Sequence, residues 1–118
     1  MQQHVIETVT FKLNAETKHS DFVAAAIKTV RWVEQQPGFI QRRLSVCDDG
    51  TWIDYIEWNN MDAARAAAAG ISKEPDNADF LEAIDGSSVK LRHSIVEVSL
   101  KQLVHEAVRS ARGDRGDH

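Results

Sequence analysis

Apolar and polar residues interleave from Val5 to Leu13 in a stretch rich in Val, Ile, Thr and Phe, the composition of a pleated strand. Asn14 to His19 is polar and reads as a loop. From Ser20 the period changes: Phe22, Ala26, Val30 and Val33 recur at helical spacing and predict one buried stripe, with Ser20 as N-cap and Asp21 in the first turn, where an acid suits the helix dipole. Pro37-Gly38 ends that helix. A second strand follows from Phe39 to Cys47, a turn at Asp48-Asp49-Gly50, and a third strand from Thr51 to Trp58. After Asn59 or Asn60 an alanine-rich helix runs through Met61 and Ala63–Ala69, broken only by Arg65, to a stop at Gly70. Pro75 fits the first turn of a short helix whose apolar side is Phe80, Leu81 and Ile84. A fourth strand is expected over Leu91–Leu100.

The order strand, helix, strand, strand, helix, strand is the split β-α-β arrangement: an α+β, ferredoxin-like βαββαβ fold with both helices on one face of a four-stranded antiparallel sheet. It occupies residues 1–100 as one domain. Residues 101–118 form a C-terminal extension, with Leu103, Val104, Ala107 and Val108 supporting a short helix to Ala111 and a tail from Arg112 too poor in apolar residues to fold.

A net charge of −4 gives no electrostatic reason to expect nucleic acid as a partner. The apolar runs are shorter than a membrane span, and Met1-Gln2-Gln3-His4 shows no basic region followed by an apolar run, so neither membrane insertion nor a signal peptide is expected. Cys47 is the single cysteine, which precludes an internal disulfide and fits a reducing, cytoplasmic setting.

Strand parity assigns faces. Ile40, Leu44 and Val46 in strand two, and Val96, Val98 and Leu100 in strand four, are expected under the helices, with Phe39, Gln41, Arg43 and His93, Ile95, Glu97 opposite. Strand three is ambiguous, with Trp52, Asp54, Ile56 and Trp58 on one face and Thr51, Ile53, Tyr55 and Glu57 on the other. So much aromatic bulk on both faces predicts a covered open face, most economically by a second copy in a symmetric homodimer.

These residues carry a family resemblance. Gln36-Pro37-Gly38-Phe39, Asp49-Gly50-Thr51-Trp52, Trp58 before the alanine-rich helix, and Ile84-Asp85 through Ser88-Val89-Lys90-Leu91-Arg92-His93 resemble the dimeric α+β barrel superfamily over about residues 5 to 100, within it the antibiotic-biosynthesis-monooxygenase-like proteins. The resemblance implies a dimeric α/β barrel and a pocket lined by Trp58. It thereby favours the Trp52, Asp54, Trp58 face as the barrel interior and leaves Tyr55 to pack under the helices. Members of this superfamily oxidise anthrone-like polyketides without metal or flavin, degrade haem, or isomerise lactones. The haem-degrading members need a histidine on the helix after strand three, and no histidine lies between His19 and His93, which argues against haem binding of that kind.

The candidate chemistry centres on His93 and Asp54. With strands one and three expected parallel and strand four running back, His93 falls at the Trp58 end, where a histidine can act as a base. The alternative is a histidine that only hydrogen-bonds a neighbouring strand. Asp54, between apolar neighbours, must be paired or protonated; it orients His93, holds a polar ligand group, or pairs with Arg43 across the strands. Trp58 and Trp52 are candidate aromatic walls, Glu7 a second pocket acid or a rim residue, and Arg43 (with Arg42, Lys90 and Arg92) a charge for an anionic ligand or solvated surface. The histidines show no metal-ligand spacing, so no metal is expected. Two functions follow: a cofactor-independent monooxygenase-like protein for a small aromatic or polyketide-like molecule, or a non-catalytic dimeric module that holds such a ligand unchanged.

Overall fold

β1 (Val5–Phe11) is the strand around which the sheet is built. It pairs antiparallel with β3 (Trp52–Trp58) on one side and with β4 (Lys90–Ile95) on the other, and β2 (Phe39–Val46) closes the far edge on β3, giving the order β2-β3-β1-β4. The computed structural model describes residues 3–101. The expected helix at 103–111 and the tail beyond it lie outside the described residues. α1 (His19–Glu34) and α2 (Met61–Gly70) cover one face, and two 3₁₀ turns lead from α2 to a short α3 (Ala78–Glu82). The chain is therefore α+β with a four-stranded antiparallel sheet, the ferredoxin-like order the sequence predicts. No helix among the described residues is long and apolar enough to cross a membrane.

Local chemistry explains the boundaries. Asn60 caps α2 by accepting from the Ala63 amide at 2.8 Å. Gly38, at φ +85°, takes the left-handed turn after α1, and a Cβ there would stand 2.6 Å from the Ala63 Cβ, so only glycine lets the β2 entry pass under α2. α1 begins at His19 after Lys18, one residue before the expected Ser20 cap, and Lys18 makes no side-chain cap. Its buried stripe is Phe22, Ala25, Ala26, Thr29 and Val33, whereas Val30, expected inside, is half-exposed. Position 29 completes the stripe because its hydroxyl is hydrogen-bonded, which removes the cost of burying it.

Register settles the faces. Val5, Glu7, Val9 and Phe11 pair with Trp58, Ile56, Asp54 and Trp52, and all eight side chains point under the helices. Tyr55, expected under the helices, pairs with Thr8 and Arg43 on the open face. A bulge between Phe39 and Gln41 flips the start of β2, so that Phe39 packs edge-on against Trp58 at 5.9 Å on the helix face instead of facing away. β4 ends at Ile95, earlier than expected. Val98 and Leu100 are exposed, and it is Leu91, His93 and Ile95 that share the helix-side face with Val9, Glu7 and Val5. β1 and β3 run antiparallel, not parallel as expected. Because β1 is antiparallel to both neighbours, β3 and β4 run in the same direction, and their last residues, Trp58 and Ile95, both lie opposite Val5.

The core has two apolar clusters. Phe11, Phe22, Trp52 and Phe80 form an aromatic block, with Phe22 stacked on Phe80 at 5.0 Å and edge-on to Trp52 at 4.8 Å. Val5, Ile56, Trp58, Ala64 and Ala67 form the second, in which alanines let α2 sit close to the sheet. The open face is more polar than the sequence suggested, since both β3 tryptophans are turned under the helices and Ile6, Ile53 and Tyr55 are its main apolar groups. The aromatic-patch argument for a covered open face therefore loses its tryptophans.

Candidate functional site

A cavity of about 260 Å³ opens where the two clusters meet. Phe11 and Phe80 from the first and Ile56, Trp58 and Ala67 from the second line it, and α1 adds Trp32 and Val33. Its rim is Ile84, Gly86, Val89 and Leu91, and Val89 and Leu91 are partly solvent-exposed. The rim segment is tied to the end of β1 by Asn14 N–H to the Ala83 carbonyl and Asp85 N–H to the Lys12 carbonyl, both 2.9 Å, and by Lys12 N–H to the Ser88 hydroxyl at 2.8 Å.

Two carboxyls stand in this apolar wall, Glu7 on β1 and Asp54 on β3, 7% and 5% exposed. Their environments differ. Arg42 grips Asp54 with both forks, Nε to Oδ1 at 2.9 Å and Nη2 to Oδ2 at 2.8 Å. The same guanidinium donates from Nη1 to the Thr29 hydroxyl at 2.7 Å, which donates onward to the Ala26 carbonyl, and lies 5.3 Å from the Phe80 ring centre. The partner is Arg42, not Arg43. Arg42 has the parity of Leu44 and Val46 and so shares Asp54's face, while Arg43 points to the open face beside Tyr55.

Glu7 has no such clamp. Its neighbour across β1 and β4 is His93, whose Nε2 is 3.3 Å from Oε1. Burial pushes the Glu7 carboxyl above its ordinary range, and the nearby Asp54 charge adds to the rise; the His93 hydrogen bond and charge oppose it, and the Trp58 indole opposes it further. The Trp58 Nε1 is fully enclosed and lies toward the Glu7 carboxyl, though it meets no acceptor in full hydrogen-bonding geometry among the described residues.

Of the residues singled out from sequence, Glu7, Asp54 and Trp58 are brought together on the cavity wall. His93 stands behind Glu7, with 18% of its side chain exposed on the edge strand, and is not part of the lining. Trp52 lies in the aromatic block against Phe22 and His19, away from the cavity, and Arg43 is on the other side of the sheet. Sequence reading missed Thr29 and Trp32, and offered Arg42 only as a charge for an anionic ligand or solvated surface, not as the partner of Asp54. Parity with Leu44 and Val46 would have found Arg42, and spacing from Phe22, Ala26 and Val33 would have found Thr29. Among the described residues no group of His, Cys, Asp and Glu is arranged to hold a metal ion.

No family model matches this chain, and no curated protein does. Solved structures match over most of both chains. SnoaB, a cofactor-independent oxygenase from Streptomyces nogalater, is 18% identical with a TM-score of 0.60, covering 84% of this chain and 96% of its own. The monooxygenase ActVA-Orf6 of Streptomyces coelicolor, solved with nanaomycin D, is 20% identical with a TM-score of 0.64, over 84% of this chain and 92% of its own. A heme-degrading protein of Mycobacterium tuberculosis is 18% identical with a TM-score of 0.61, over 86% of this chain and 99% of its own. At such identities the likeness is one of architecture, and several activities are represented in it. The fold of this chain is that of the antibiotic-biosynthesis-monooxygenase-like proteins.

Proposed function

We propose that this protein is a cofactor-independent monooxygenase-like enzyme that binds a small aromatic or polyketide-like molecule between sheet and helices. The observation that carries the reading is an apolar cavity whose wall holds a buried carboxyl not neutralised by arginine, Glu7. The oxygenases of the same fold support it as analogues.

Trp32, Phe80 and Trp58 form walls for a flat ligand, and the cavity, just below the usual range of about 300–1,000 Å³, suits a small one. Glu7 takes a proton from the activated methylene, forming its own O–H as the substrate C–H breaks. The electron-rich carbanion then reduces dioxygen directly and forms a C–O bond to give a peroxide. Glu7 returns its proton to the peroxide, and loss of water converts CH₂ to C=O: one oxygen atom stays in the product, the other leaves as water with both methylene hydrogens, and the substrate supplies all four electrons. The base in this reading is Glu7, where the sequence had pointed to His93 and Asp54; Asp54, held by Arg42, shapes the wall. A homodimer through the open face, with Ile6, Ile53 and Tyr55 at its centre, and a cytoplasmic setting belong to the same reading.

The test is oxygen uptake with anthrone as probe. Wild-type protein should consume oxygen well above the spontaneous rate, and Glu7→Gln should lower turnover by about 10²–10⁴-fold with binding retained. Binding of anthrone with no uptake above background would instead identify a non-catalytic carrier.

A further inference from the structure

Resting on that reading, the pairing across β1 and β4 assigns a further role. A carboxyl enclosed by apolar groups is a poor base unless something holds it ionised. On the helix side of Glu7, α1 offers Trp32 and Val33, α2 offers Ala67 and Ala68, and α3 offers Phe80 and Leu81, none of them titratable. On β3 the neighbours are Asp54, whose charge is taken up by Arg42 from β2, and the Trp58 indole. On β4, Leu91 and Ile95 flank His93 on the same face, while Arg92 points to the other side. Among the described residues, His93 is thus the group of potential positive charge that directly contacts Glu7, at 3.3 Å. It sits on the edge strand, partly exposed, while Glu7 lies on the central strand behind it.

We propose that His93 is a positioning residue: it holds the Glu7 carboxylate in place and keeps it in the form that can accept a proton, without itself touching the ligand. No bond is made or broken at His93; it supplies a hydrogen bond and, when protonated, a charge.

The experiment compares pH–rate profiles for wild-type and His93→Gln protein with anthrone, alongside a carbon-13 NMR titration of the Glu7 carboxyl in the same two proteins. In His93→Gln the acid limb of the profile should move to higher pH. Turnover on the acid side of neutrality should fall about tenfold, and the alkaline plateau should stay within about twofold of wild type. The Glu7 titration should move upward in parallel, and in wild-type protein the Glu7 signal should carry a second inflection where His93 titrates. A uniform loss of turnover at every pH, with the Glu7 titration unmoved, would overturn the assignment and leave His93 a packing residue. The wild-type inflection needs no variant, and the NMR arm needs no substrate. If anthrone is not turned over at all, the titrations still decide the pairing, and only the oxygenase reading falls. A Glu7 signal that titrates once, independently of His93, would reject the inference even in an active enzyme.

Discussion

Asp54 and Glu7 are two carboxyls on adjacent strands, on the same face, similarly buried and lining the same cavity, yet the chain treats them in opposite ways. Asp54 is held by a bidentate guanidinium that is itself held by Thr29 and lies by Phe80, so every oxygen has a donor and the charge is balanced. Glu7 meets one imidazole and the Trp58 indole but no guanidinium, and burial raises its proton affinity. A structural acid is made by completing its partners. A reactive one is made by leaving them incomplete. The contrast also shows why residue type alone misled: each in the middle of a strand, the two acids look alike until the cross-strand register is known.

Removing Arg42 should give the largest effect. Arg42→Ala leaves Asp54 buried without its partner and should cost about 3–5 kcal/mol in urea unfolding. Arg42→Lys should recover only part of that, because a single ammonium cannot reproduce the fork. If Arg42→Ala unfolds like wild type, the clamp is not structural and the contrast with Glu7 fails.

Filling the cavity comes next. Ala67→Leu projects a larger side chain among Trp58, Ile56 and Trp32 and should weaken anthrone binding at least about tenfold, roughly 1.4 kcal/mol, measured by ligand fluorescence or calorimetry. Its cost to folding should stay within about 1–3 kcal/mol. Unchanged affinity would put the ligand elsewhere.

Thr29→Val removes the hydroxyl that accepts from Arg42 and should cost about 0.5–1.5 kcal/mol, with the Asp54 pair intact by crystallography. The smallest effect is a gain. Glu7 has its folded-state proton affinity raised above the usual 4.5, so its contribution to stability is complete below that value and is lost as pH rises through the raised one. Glu7→Gln should therefore melt higher than wild type at neutral pH, with the difference closing in acid. A lower melting temperature at neutral pH would mean that the ionised Glu7–His93 pair stabilises the fold.

How much of this was legible in the sequence depended on range. Helix stops at Pro37-Gly38, the Asn60 cap and the turn at Gly50 are local, and the βαββαβ order follows from them. The faces were not local. One bulge at the start of β2 reversed Phe39, and the alternation of apolar residues in β3 gave both of its faces similar weight, so Tyr55 and the tryptophans could be exchanged. Glu7 and His93 are 86 residues apart, and only the β1–β4 register joins them. Arg42 was hidden by its neighbour Arg43, since two adjacent arginines on a strand offer one to each face and only parity tells them apart.

The most direct test of the central claim is a crystal structure with anthrone bound under nitrogen. The ligand should lie between Trp32, Phe80 and Trp58, with its methylene carbon facing Glu7. A ligand that sits outside this cavity, or inside it with the methylene turned to the Arg42-held Asp54, would contradict the assignment of Glu7 as the base.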